Sequence, residues 1–168
     1  MFFIKGAEQV PCPCCGGKLG IIGSRRRVSI DTDSNKKIYI IRRLGCTCCG
    51  RTHSELPDFI IPYKRHLSST IETVITGDEQ QTVIADETTR WRWRDWFISL
   101  ATYFAGCLHS IAIRYNQETV KEPSDLSESA LLRILGYVGN APGWLDRMTK
   151  PLVNTNLWLH TRSAFISA

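Results

Sequence analysis

The stretches Cys12-Pro13-Cys14-Cys15-Gly16 and Cys46-Thr47-Cys48-Cys49-Gly50 decide how the first third of this chain folds. Each reads C-x-C-C-G and holds a C-x-x-C pair followed by glycine: Cys12 with Cys15, and Cys46 with Cys49. This spacing turns the backbone tightly, so that two sulfurs face one point. Two such pairs supply four thiolates to one tetrahedral zinc ion. Glycine after the second cysteine accepts positive φ, which closes the turn and lets backbone N–H groups point at the sulfurs. The expected ligands are therefore Cys12, Cys15, Cys46 and Cys49, around one structural Zn2+. Cys14 and Cys48 read as spare thiols. A second metal or an iron–sulfur cluster drawing on all six sulfurs is the lesser alternative, because no spacing here matches the common cluster runs. His53 is close enough to compete as a ligand, but four cysteines already complete the shell. That places His53 at the surface or behind the ligands.

Between the knuckles lies a hairpin pattern. Arg25-Arg26-Arg27-Val28-Ser29-Ile30 leads into the turn formers Asp31-Thr32-Asp33-Ser34-Asn35. Then comes Lys36-Lys37-Ile38-Tyr39-Ile40-Ile41-Arg42-Arg43-Leu44, rich in β-branched and aromatic residues. Strands are expected near 24–31 and 36–44, with Phe2-Phe3-Ile4 as an entering strand. Knuckle, hairpin, knuckle is the layout of a zinc ribbon. With so little apolar mass in this third, metal binding would supply folding free energy on the order of 10 kcal/mol.

Charge is unevenly distributed over the 168 residues. Residues 1–66 carry 12 Lys and Arg against 5 Asp and Glu; residues 67–168 carry 9 against 11. The net +5 thus comes from the cysteine-bearing third and points to an anionic partner there, nucleic acid first. Arg25, Arg26, Arg27, Lys36, Lys37, Arg42 and Arg43 on the hairpin, with Lys64 and Arg65 after it, are the candidate phosphate contacts. A solvated strand edge guarded by charge is the plainer reading of the same residues. No secretory signal is visible at the start, so a thiolate–metal site in the cytoplasm is expected rather than a disulfide framework.

From Leu67 the pattern becomes helical. Leu67, Ile71, Val74 and Ile75 share a face, and Gly77 ends that helix. A short helix is expected within 79–85. Asp86 then caps a third helix, in which Thr89, Trp93, Trp96, Phe97, Leu100 and Phe104 form the core stripe. Arg90, Arg92 and Arg94 flank that stripe, and Trp91 lies on the far side, expected against the C-terminal helices or the ribbon. The order helix, turn, helix near 67–97 fits a helix-turn-helix whose last helix enters a major groove. Trp96 to Ile113 holds no formal charge over 18 residues, near the lower limit for a membrane span. Ser99, Thr102, Gly106, His109 and Ser110 interrupt it, so a buried core helix running to about Tyr115 is expected. Further helices are expected at 127–138 and 143–150, the latter stopping before Pro151. The apolar end, 157–165, should dock on the helices.

Several of these residues carry a resemblance. Cys12-Pro13-x-Cys15-Gly16, Ile41-Arg42-Arg43-Leu44-x-Cys46-x-x-Cys49-Gly50-Arg51-x-His53, Leu56-Pro57-Asp58 and Ile61-Pro62-Tyr63-Lys64-Arg65 resemble an uncharacterised bacterial family of small zinc-ribbon proteins. They are also similar to the zinc-binding heads of insertion-sequence transposases, and Thr88-Thr89-Arg90-Trp91-Arg92-Trp93 looks like the start of the recognition helix in such proteins. The resemblance covers roughly residues 10–97 and implies zinc and DNA binding in a mobile-element setting. It does not extend to a nuclease domain with three spaced carboxylates, so catalysis is not carried over.

The sequence thus predicts an α+β protein: a zinc ribbon over 1–58 and an α-helical domain over 59–168. The expected function is non-enzymatic binding of double-stranded DNA by a regulator or transposition accessory factor. No Gly-rich phosphate loop, nucleophile motif or H-E-x-x-H is present, and neither a membrane nor a small-molecule substrate is expected. A module docking a polymerase or transposase subunit through its ribbon and C-terminal helices is the alternative. An RNA-binding ribbon is a third.

Overall fold

The computed structural model describes residues 1–6, 9–77, 83–119, 129–159 and 164–167. Among the described residues, five strands and four helices make an α+β fold: β1 (Phe2–Phe3), β2 (Leu19–Ile30), β3 (Lys36–Cys46), β4 (Thr52–Pro57), α1 (Ser68–Thr76), α2 (Glu87–Arg114), α3 (Ala130–Val138), α4 (Trp144–Asn154) and β5 (Ala164–Ser167). The hairpin β2–β3 is longer than expected and reaches both knuckles, pairing from Leu19–Cys46 to Ile30–Lys36 with an irregularity between Ile21 and Gly23. A strand has two hydrogen-bonding edges. β2 fills one edge of β3; β1 and β4 share the other, β1 parallel at Tyr39 and Ile40 and β4 antiparallel at Arg43 to Gly45.

Side chains alternate across this sheet. Tyr39 and Ile41 of β3 and Leu56 of β4 face the helices and join one core with Ile60, Ile61, Ile71, Phe97 and Phe104. The hydrophobic core therefore crosses residue 58, and strands and helices are stabilised by the same burial, about 1.5–3 kcal/mol per large apolar side chain.

Of the stripe expected on α2, Trp93, Phe97 and Phe104 are buried and Thr89, Trp96 and Leu100 are half-buried; Leu108 and Ile111 carry the buried face further along the helix. Phe104 stacks on Trp158 at 5.3 Å, and Phe97 meets Trp144 edge-on at 5.4 Å. Asp86 caps the helix, accepting from Thr89 N–H at 2.8 Å and Thr89 O–H at 2.7 Å. The helix stops at Arg114, just before Asn116 at positive φ. By length and composition α2 could cross a membrane; here 44% of its most apolar window is buried in the fold. Gly77 closes α1.

Four expectations need correction or qualification. The short helix expected at 79–85 falls mostly outside the described residues, and 83–85 are not helical. α4 continues through Pro151. A proline in a helix interior costs about 3 kcal/mol, and burial of Leu152 and Val153 offsets that loss. The end of the chain does more than dock: β5 adds a parallel strand to β4, Ser54 with Ala164 through Pro57 with Ser167. Trp91, expected against the C-terminal helices or the ribbon, is 62% exposed.

Candidate metal centre and cationic face

The two knuckles fold as copies of each other. Cys12 N–H bonds Gly17 O at 2.9 Å and Gly16 N–H bonds Cys12 O at 2.8 Å; Cys46 N–H bonds Arg51 O at 2.9 Å and Gly50 N–H bonds Cys46 O at 3.0 Å. Gly16 and Gly50 both take positive φ, 74° and 69°, as the turn requires. The β2–β3 ladder sets the knuckles side by side, and the sulfurs of Cys12, Cys15, Cys46 and Cys49 all lie within 4.8 Å of one another. Cys12 and Cys49 approach to 3.7 Å, Cys15 and Cys46 to 3.5 Å. Four sulfurs bonded to one tetrahedral zinc would stand about 3.8 Å apart, given zinc–sulfur bonds of about 2.3 Å. The donor set therefore fits a single structural metal ion. The Cys46 thiol is pulled down to about 6, first by the Cys49 N–H and then, against burial, by the Cys48 N–H. That favours a thiolate at Cys46, while burial and the neighbouring sulfurs hold Cys12, Cys15 and Cys49 up, so a metal binding there would release protons.

Sequence reasoning missed one residue of this centre. A Cβ on Gly17 would stand 2.7 Å from Cys48 Cβ and 3.1 Å from Cys46 Sγ. The second knuckle closes on the first only because residue 17 has no side chain. The signal was the doubled glycine Gly16-Gly17, of which the first serves the turn and the second the approach.

His53 lies behind the ligands. It is fully buried, with Nε2 3.3 Å from Cys12 Sγ. Burial, and then the charge of Arg51, lowers its pKa. A neutral ring carrying its proton on Nε2 would donate to the Cys12 thiolate, the usual office of a supporting residue around a metal. Cys12, Cys14 and His53 also form a second, three-membered group of donors, and Arg51 Nη1 lies 3.4 Å from Cys14 Sγ.

Residues 12–93 match the family model of DUF6431, a domain of unknown function. No curated protein and no solved structure matches the chain. The matched segment begins at the first metal-ligand candidate and takes in both knuckles, the hairpin, α1 and the first turns of α2. It ends at Trp93, whose ring meets His66 at 4.7 Å.

The cations of the matched segment divide into two groups. Some are held by the fold. Arg42 grips the buried Glu55 through two hydrogen bonds, and that pairing raises its pKa. Arg27 donates to Lys64 O at 2.9 Å. Lys64 sits over the Trp96 ring at 4.2 Å, and burial lowers its pKa. Arg94, just past the segment's end, donates from Nε to Val74 O at 3.1 Å. Lys37 pairs with Asp31 at 3.4 Å. Arg51 is bonded to Cys14; the others, Lys18, Arg25, Arg26, Lys36, Arg43, Arg65, Arg90 and Arg92, are exposed and form no ion pair with a described residue. Arg27 is depressed first by burial and then by Arg25 and Arg65, which places those three guanidinium groups in one neighbourhood.

The run 63–66 ties hairpin to helix. Ile30 N–H and Ser29 O–H both bond Arg65 O, at 2.8 and 3.1 Å. His66 and Lys64 meanwhile rest on Trp93 and Trp96 of α2.

Proposed function

We propose that this chain is a zinc-ribbon protein that binds duplex DNA without catalysing a reaction, as a regulator or an accessory factor of a mobile element. The observation that carries the reading is the set of exposed cations on the hairpin, at position 65 and at the start of α2 that form no ion pair with a described residue, set against two ion pairs among the described residues. Zinc holds the knuckles. The exposed hairpin arginines and Arg65 meet phosphates. In the finer form of the reading, α1 and α2 act as a helix-turn-helix, with Arg90, Trp91 and Arg92, all exposed, presented to the groove. A four-thiolate shell is coordinatively closed, so the metal would not activate water. The cytoplasm is the proposed location.

The test is a gel-shift titration of zinc-loaded protein with pooled random duplex DNA at low and moderate salt. Binding that weakens steeply with salt is expected; absence of salt-sensitive binding overturns the proposal. A second reading, a module docking a protein partner, is favoured by the exposed Trp91 and Ile98 on α2, 62% and 74% accessible. It predicts instead that Trp91→Ala abolishes partner binding while the arginine substitutions leave it intact.

A further inference from the structure

We infer that Arg25, Arg43, Thr52 and Ser54 form a phosphate-binding pocket on the sheet face, a defined subsite within the DNA-binding reading proposed above. Register and alternation bring the four together. Tyr39, Ile41 and Arg43 occupy one face of β3. Arg25 stands opposite Ile41, and Ser54 opposite Arg43. Thr52, two residues before Ser54, shares its face. Tyr39, Ile41 and Leu56 on this face are covered by the helical core. One step toward the knuckles the cover ends, and a cavity of about 320 Å³ lined by these four side chains opens. Arg42 and Glu55, paired to each other, belong to the opposite face and do not reach it.

The chemistry of the lining is one-sided. Two guanidinium groups and two hydroxyls converge, and among the described residues no carboxylate lines the cavity. Neither arginine pairs with a described acid. Like charges diagonal across a ladder repel, and the partner opposite Arg43 on β2 is Gly23, which places no side chain between them. An anion relieves that repulsion. Its shape follows from the donors: planar forks and O–H groups surround a tetrahedral oxyanion, with Arg supplying charge and direction and Thr and Ser filling the remaining oxygen positions. Ser54 is only 8% exposed, so its hydroxyl belongs to a built wall. Arg27, further along the same face and close to Arg25 and Arg65, extends the positive field inward. The shared ligand chemistry is a phosphate group, carried either by a nucleic-acid backbone or by a free phosphomonoester.

The experiment uses the full zinc-loaded chain and three variants, Arg43→Gln, Thr52→Val and Ser54→Ala, each first checked for zinc content and for an unchanged amide spectrum. Duplex DNA binding is followed by fluorescence anisotropy across salt concentrations, and the arginine Nε–H signals are followed by NMR during titration with inorganic phosphate. Arg43→Gln is expected to weaken DNA binding about tenfold and to reduce the salt slope by about 1. Thr52→Val and Ser54→Ala should each weaken it roughly threefold with the slope unchanged. If the wild type binds DNA but all three variants match it, the pocket is refuted while the DNA reading stands. If the wild type does not bind DNA, saturable shifts of the Arg25 and Arg43 signals with phosphate, lost in Ser54→Ala, uphold the pocket with a free phosphomonoester as its ligand. Absence of those shifts then refutes it.

Discussion

Glu72 is the residue whose replacement tests the packing most sharply. It lies in α1, is 8% exposed, and reaches across to the start of α4, more than seventy residues later. One carboxylate oxygen accepts the Gly143 N–H at 2.7 Å and the other accepts the Leu145 N–H at 2.8 Å. α4 begins at a glycine with no side-chain cap of its own, so Glu72 satisfies two donors that would otherwise be orphaned and places a negative charge at the positive end of the helix. In Glu72→Gln one oxygen survives, and an NH2 group is turned toward an N–H donor. Loss of one hydrogen bond to a charged group, with a buried donor left unmatched, costs about 2–3 kcal/mol. In a chain of this length that lowers Tm by about 4–12 °C. Urea unfolding followed by circular dichroism gives the free energy; amide hydrogen exchange at Gly143 and Leu145 locates it. Asp33→Asn, at an exposed carboxylate, is the control and should change stability by less than about 0.5 kcal/mol. A loss under about 1 kcal/mol in Glu72→Gln, with exchange at both amides unchanged, would refute the capping argument.

Three further outcomes are expected. Metal analysis should find one zinc per chain, and Cys49→Ser should lose most of it together with the hairpin's β signal; full zinc retention in that variant would remove Cys49 from the ligand set. Arg42→Ala leaves the buried Glu55 unpaired and should cost about 3–5 kcal/mol, whereas Arg43→Ala, at an exposed position, should stay within about 0.5 kcal/mol; equal losses would contradict the assigned faces. Asp146, held up chiefly by burial and next by the charges of Asp58 and Glu72, has its pKa raised from 3.8 to about 6. Between those values the folded chain holds more protons than the unfolded one, so stability falls as pH rises through that window. Full conversion would be about 3 kcal/mol, but the carboxylate is only half-buried and screening leaves about 1. Asp146→Asn should therefore raise stability near pH 7 by about 1 kcal/mol and flatten the pH dependence between 4 and 6. An unchanged slope in urea melts at these two pH values would rule that out.

Local signals were the ones legible in advance. The C-x-x-C-G repeats, the turn cluster at 31–35, the Asp86 cap and the α2 stripe each lie within a few residues, and each was read from neighbouring side chains. What escaped depends on residues far apart. Nothing near Glu55 announces that it will neutralise Arg42, because the pairing is set by how β4 meets β3. His53 looked peripheral by ligand count, yet the strand that carries it runs beneath Cys12. Pro151 reads as a stop because its local cost is visible, while the burial of Leu152 and Val153 that outweighs it is tertiary. The cavity at Arg43 was hidden for the same reason: Thr52 and Ser54 are unremarkable until register sets them beside two arginines.

The partnership of β4 with β5 has a consequence for how the molecule is made. β4 leaves the ribosome early, but Ser54 to Pro57 pair with residues 164–167, about a hundred positions later. At roughly 5–20 residues per second, that edge waits some 5–20 seconds for its neighbour. The β2–β3 hairpin can close in the meantime, since its own partners are adjacent in the chain. The sheet is complete only once residues 164–167 have been made, and during the interval the open edge of β4 is where a chaperone, or a second nascent chain, would find its hold.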